Sequence, residues 1–359
     1  MKRTLVAFLL ALCLLTSCCM ASADVVKPSM AAPVPVGSDY PNNPVIEGEA
    51  PLSGLAASGE PYTPVLLVLG PPDAHRFWGI ASADIMFQVP NMGSGSTKYM
   101  ALFANNYPRS AGGARSARMT MLPFANAFDS AFASGHYPPF SGSDKVNVKS
   151  NLGGWGYIGK KKYFDLLGNE FKERLAGGKA DSTNLGFLVN QAHKSMIDNN
   201  TNFDVRPFLF TDAPLDHGDT ALTISMKYFG NADRLKARRE NTASSCTFTY
   251  TEGVGYTRSD AKGGLVDRDS GETVAFANYI VLWTENESLR GYSCLKNHLV
   301  GSGGAEIFQN GKHISGAWVR TGLHSRLVFL DDQGNELAFQ RGRTFITVSN
   351  GYNELSIAE

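Results

Sequence analysis

The stretch PVLLVLG, residues 64–70, is an unbroken apolar run closed by a proline and a glycine. It is too short for a typical core helix and shows no polar alternation, so it reads as a strand of the fully buried type. Working outward, ADIMFQV (83–89) and KYMALFA (98–104) read as further strands, separated by the flexible turn PNMGSGST (90–97). Beyond GGARSAR (112–118), Thr120 is placed to cap a helix with Pro123 in its first turn, where a missing N–H costs nothing. Phe124, Phe128 and Phe132 recur every fourth position as the buried face of that helix. Helical spacing returns at Tyr163, Leu167, Phe171 and Leu175, closed by Gly177 and Gly178, and again at Leu185, Leu188, Val189, Ala192 and Met196.

From Thr220 the pattern changes to strands: ALTISMKYF, CTFTY, TVAFANYIVLW, AEIFQ, AWVR, RLVFL, ELAFQ and RTFITV, with Asn310-Gly311 and DDQGN as hairpin turns. The expectation is therefore an α+β chain: a mixed α/β N-terminal domain over residues 55–205, then a β-rich, mainly antiparallel C-terminal domain over 215–352. The boundary falls near residues 200–218, and no internal repeat stands out.

The N-terminus has the order of an export signal. Lys2 and Arg3 precede an apolar run from Leu5 to Leu15, too short to span a bilayer, and Leu15-Thr16-Ser17-Cys18 resembles a bacterial lipobox. On that reading residues 1–17 are removed and Cys18 carries lipid, palmitate included, as a membrane anchor. Cleavage after Ala21-Ser22-Ala23 instead would release a secreted protein starting at Asp24. Residues 18–54, rich in Pro, Ala, Ser, Gly and Asn, read as a flexible tether.

Lys+Arg and Asp+Glu both number 33, and removal of the signal takes away two bases and no acid. A nearly neutral body has no global field to draw it onto nucleic acid, so any anion recognition is local. Cys246 and Cys294 are the cysteines left in the body; in an oxidising compartment they form a disulfide, otherwise two buried thiols. No zinc spacing occurs and no cofactor is implied. Asp212, Asp216, His217 and Asp219 carry metal-ligand donors but sit beside Pro and Gly as turn-capping residues do, and Asp267 and Asp269 lack the later Glu of a calcium loop.

The ordered fragments PLSGL, ASADIMFQV, KYMALFANNYP, GGARSAR and FDSAF, followed by YTRSDAKGGLVDRDSGETVAFANYIVL, GSGGAEIFQNGKHISGAWVR and GRTFITV, resemble the YerB-like bacterial lipoproteins from about residue 51 to 349. The resemblance implies a two-domain α/β body exported on a lipid anchor, and it implies no established activity. Where relatives usually carry Glu after the second strand this chain has Gln88, and Lys98 stands where Arg is usual.

Arg115 and Arg118 are the sharpest chemical signal. Guanidinium offers permanent charge and paired planar donors matched to carboxylate and phosphate oxygens. Gly112 and Gly113 allow close backbone approach, Ser116 adds a hydroxyl, and a helix N-terminus would add free N–H groups. The expected ligand is an anionic cell-envelope component: a wall polymer, a peptide carboxylate, a lipid headgroup or a phosphate-bearing lipid-linked intermediate. Alternatively, both arginines pair internally with Asp84 and Asp129. A rival class is a wall-polymer hydrolase or transferase with Asp84 or Asp129 as acid or base, and a third is a module docking a protein partner. His136 is either a general base beside the arginines or a donor to a loop carbonyl. No serine stands in a nucleophile elbow, so no catalytic constellation is assigned. Among the four tryptophans, Trp155, beside Tyr157 and Lys160–Lys162, is the best exposed candidate for stacking on a sugar, whereas Trp283 belongs to a core run.

Overall fold

The structure is a computed structural model and describes residues 23–72, 77–91, 95–136, 147–168, 171–174, 184–229, 244–288 and 295–359. Residues 1–17, the lipid-attachment candidate Cys18, Cys294, and Leu175 with Gly177 and Gly178 lie outside the described residues. Among the described residues no helix is long and apolar enough to cross a membrane.

The strand read from residues 64–70 forms as Val65–Val68, each residue buried. It lies in an eleven-stranded sheet whose order runs Asp219–Thr220, Lys312–Arg320, Gly301–Gln309, Asn278–Trp283, Thr344–Ser349, Ile85–Pro90, Thr97–Phe103, Val65–Val68, Ala131–Ser134, Tyr163–Asp165, with Val328–Leu330 paired to Lys312–Arg320 off this path. Alternate residues of each central strand face opposite sides, and both sides are covered. Val65, Leu67, Met86, Tyr99, Val281 and Phe345 meet the inner face of a second sheet at Ile224, Met226, Cys246 and Phe248. Leu66, Val68, Phe87, Met100, Ile280 and Ile346 pack under Phe124, Phe128 and Leu152 of the helical side, joined by Phe208, Phe329 and Phe339. Double coverage is why the central runs lack polar alternation.

The fold is mostly β, and only that coarser part of the α+β expectation holds. Three α-helices occur among the described residues: Leu122–Ala127, Val148–Gly154 and Val189–Asp198. The first is shorter than the phenylalanine spacing predicts, because Asp129 takes φ 42° and the chain turns into Ala131–Ser134, placing Phe132 on a strand. Tyr163 likewise lies on a strand, Tyr163–Asp165, and Leu185 on Leu185–Phe187. Thr120 does not cap: its hydroxyl donates to Pro90 O at 2.6 Å, and Met121 occupies the N-cap with no side-chain bond.

The boundary near 200–218 divides the chain in sequence but not in space. Thr344–Ser349 pairs in parallel with Ile85–Pro90 on one side and with Asn278–Trp283 on the other, so both halves share one sheet. Within the second half the other described strand pairs are antiparallel, as the sequence reading expects, and Asn278–Trp283 with Thr344–Ser349 is the parallel exception. The turns were legible: Asn310 and Gly311 take φ 51° and 72° between the long strands Gly301–Gln309 and Lys312–Arg320, as a two-residue hairpin requires.

Of the segment read as a tether, the described residues 23–54 are docked. Asp24–Val26 adds an edge strand to Glu354–Ala358, Ser29 O accepts from Gly304 N at 3.0 Å, and Asn43 donates to Pro207 O and Glu336. Ala32, Val34 and Tyr40 cover a small core around Ala317 and Leu330. A composition poor in regular elements therefore reads as a linker while behaving as a strap.

Candidate functional site

The arginine loop is threaded through the sheet end rather than standing free. Gly112 N donates to Trp78 O, Gly113 N and Ala114 N to Leu185 O, Arg115 N to Val68 O and Ala117 N to His136 O, all at 2.7–3.1 Å. Those amides are spent inside the fold, and the six-residue helix that follows offers no anion seat of its own. The glycines also serve packing: Gly112 faces Gly186 across a strand pair, and the fully buried Trp78 indole lies against both. Gly113 takes φ 87°, the left-handed region that favours glycine. The loop's backbone is thus engaged, and its side chains are what is left to meet a ligand.

Those side chains converge. Lys98 alternates with Met100 and Leu102 on Thr97–Phe103, so its stem enters the helix-covered face, and its Nζ donates to Ser116 O at 2.7 Å. Arg118 Nη1 donates to the same carbonyl at 3.3 Å and to Ala117 O at 2.9 Å. The Arg115 stem lies against Gly70, where an added Cβ would stand 3.3 Å from its Cγ. Burial, then the charges of Arg118 and Arg115, pull the Lys98 amine down to about 6. His136 reaches the loop through its backbone, bridging Ser116 and accepting from Ala117 N at 2.7 Å through its carbonyl.

The internal pairing with Asp84 and Asp129 is not what forms. Asp84 is buried and accepts from Ser53 Oγ at 2.8 Å, Ala104 N at 2.8 Å and Asn105 N at 3.0 Å. Burial raises its carboxyl pKa, and those three donors oppose the rise. Asp129 binds Lys162 Nζ at 2.9 Å and Asp204 N at 2.7 Å. Neither acid faces the arginines, so they leave the ligand-binding and acid-base roles proposed from sequence. Asp84→Ala is expected to cost about 2 kcal/mol, since two backbone N–H groups and a hydroxyl lose their acceptor; urea denaturation reads this, and anion retention should not move.

Other sequence candidates find structural partners. Asp212 pairs with Arg341, and His217 lies between Asp216 and Asp332, which raise its pKa. Asp267 accepts from Asp269 N and Ser270 N in its own turn and from Ala81 N across the molecule. Lys162 stacks over Phe203, and Lys161 donates to Asn199. Among the described residues no cluster of His, Cys, Asp and Glu suits a metal ion. Cys246 is a buried free thiol whose pKa burial raises, and Cys294 lies outside the described residues.

One polar group was missed from sequence. Arg258, buried between the two sheets, donates through Nε to Gln88 Oε1 at 3.2 Å and through Nη1 to Asp260 at 3.1 Å, and its guanidinium lies 5.2 Å from the Tyr99 ring centroid. Gln88 also donates to Thr97 Oγ1 at 2.8 Å. The available signal was Gln88 itself, a polar side chain inside the otherwise apolar strand Ile85–Pro90.

Fold and site together define a mostly β protein in which two sequence segments interleave in one sheet and a basic loop closes one face. The chain belongs to the YerB-like family described as "Protein of unknown function (DUF3048)": its N-terminal domain matches residues 52–153 and its C-terminal domain residues 235–346. It is 24% identical over 325 residues, 87% of this chain and 89% of the relative, to the Bacillus subtilis (strain 168) protein described as "Putative lipoprotein YerB". The crystal structure of YerB from Bacillus subtilis matches with a TM-score of 0.66 at 22% identity, covering 84% of this chain and 96% of that one. At that identity the likeness establishes the fold alone.

Proposed function

We propose that this chain is a lipid-anchored protein of the extracytoplasmic face that holds an anionic cell-envelope component at Lys98, Arg115 and Arg118. The carrying observation is the convergence at Ser116: a buried amine is held beside two guanidinium groups, and no carboxylate contacts Lys98 or Arg115 among the described residues. Bringing like charges together costs free energy that an incoming anion offsets. Proton uptake by Lys98 then accompanies binding, so affinity rises as pH falls from about 8 toward about 6. The anchor reading draws on Lys2, Arg3, the apolar run and Cys18, together with the relative described as a lipoprotein. With Cys18 first and Asp24 already paired in the sheet, the leader spans at most about 20 Å, so the body stands close to the membrane.

The test is retention of purified protein on phosphate-bearing wall polymer and on vesicles of anionic lipid, at two salt concentrations. Arg115→Ala/Arg118→Ala is expected to lose at least about tenfold in affinity. Equal retention of the double variant would remove the site from consideration.

A further inference from the structure

A cleft of about 270 Å3 lies between the end of helix Val148–Gly154 and the loops of the second half. Trp155 terminates that helix with its N–H on Asn151 O at 2.9 Å, so Asn151 and Trp155 stand one turn apart and both line the cleft. Opposite them are Asn297, Leu299, Val300 and Leu323. Trp78, Trp283 and Trp318 are buried, whereas Trp155 is half-exposed. The mouth is open: Val300 is 52% and Leu323 37% exposed.

The lips are braced rather than loose. Arg320, wholly buried, donates to Leu299 O at 3.0 Å, to Ser325 O at 3.0 Å and to Leu323 O, tying both rims to one guanidinium. Asn297 is 2% exposed; its Nδ2 donates to Thr120 O at 2.9 Å, but its Oδ1 has no partner among the described residues. Directly across the hairpin, Asn286 buries both amide atoms unpartnered, and Tyr157, edge-on to Trp155 at 6.5 Å, buries an unpartnered hydroxyl. Asn286 and Tyr157 stand behind the lining, whereas Asn297 belongs to it; native proteins rarely leave a buried acceptor without a hydrogen bond, so the unmet Oδ1 of Asn297 calls for a polar occupant.

We propose that this cleft is a saccharide subsite taking one pyranose ring. The C–H face of a sugar stacks on the Trp155 indole, apolar edges or an acetamido methyl contact Leu299, Val300 and Leu323, and a sugar hydroxyl donates to Asn297 Oδ1. The volume is just below the range of about 300–1,000 Å3 for sites holding drug-sized ligands, which fits a single ring with the chain continuing outside. This site is separate from the basic cluster, and the proposal does not depend on the anion reading.

The probes are N-acetylglucosamine, its β-1,4-linked tetramer and glucose, titrated into the intact protein while tryptophan emission and acrylamide quenching are followed. Because the other tryptophans are buried, a saturable change reports Trp155. Saturation with at least one sugar is expected, weakened about tenfold by Val300→Arg, which crowds the mouth from an exposed position; Trp155→Phe removes the reporter, so its several-fold weakening is read by titration calorimetry. Arg115→Ala/Arg118→Ala should leave the sugar titration unchanged even where anion retention is lost. No saturable response to any of the three sugars overturns the proposal. So does a response that Val300→Arg leaves intact.

Discussion

Gly112→Ala is expected to destabilise the protein by at least about 4 kcal/mol, enough to abolish a folded fraction in a marginal background. A Cβ at Gly112 would stand 1.9 Å from Trp78 Cζ2, and its cross-strand neighbour Gly186 would place one 2.6 Å from the same atom. The indole cannot retreat readily. It is fully buried, its Nε1 donates to Ser110 Oγ at 3.1 Å, and Arg268 covers its ring at 4.7 Å. Chemical denaturation of Gly112→Ala beside Gly154→Ala gives the contrast, since nothing lies within 4 Å of a Cβ at Gly154 and that change should stay within about 1 kcal/mol. Trp78→Leu combined with Gly112→Ala should recover part of the loss, because the clash partner is then smaller. A double variant no more stable than the sum of the two single changes would show that the backbone, not the indole, sets the constraint.

That packing role bears on what sequence can disclose. Two glycines before two arginines read equally well as a ligand cradle or as clearance for a buried ring, and only the long-range approach of Trp78 and Gly186 decides between them. The buried strand at Val65–Val68 was legible because coverage on both faces leaves an uninterrupted apolar run. The helix through Phe132 was not. A spacing of four is shared by a short helix, a turn and a strand, and the break lies in the backbone of Asp129 at φ 42°. Parallel pairing of Ile85–Pro90 with Thr344–Ser349 joins residues more than 250 positions apart, beyond any local pattern. At the site, Arg115 and Arg118 were visible as chemistry, and Lys98 only as a departure from relatives. That Lys98 and Arg118 share the carbonyl of Ser116 depends on which face of a strand Lys98 occupies and how a loop crosses it.

Lys98→Met is expected to stabilise the protein at neutral pH by on the order of 3 kcal/mol while weakening anion binding, a pairing of opposite signs that ordinary core damage does not produce. In the folded state the amine titrates at about 6, against 10.5 when unhindered. Between those values the unfolded chain binds a proton that the folded chain does not, so stability rises with pH across the whole window and the cost is complete below about 6. Methionine removes the titrating group and nearly preserves the stem, and Ser116 O keeps its bond from Arg118 Nη1 at 3.3 Å. The difference in unfolding free energy between variant and wild type should therefore be largest near pH 6 and shrink toward pH 10. Adding phosphate-bearing wall polymer should narrow the gap near pH 6–7, because an anion restores the proton to Lys98 in the wild type alone. Parallel stability curves for the two proteins over pH 6–10 would mean that Lys98 keeps its proton within the fold, and the linkage between anion and proton would fall with it.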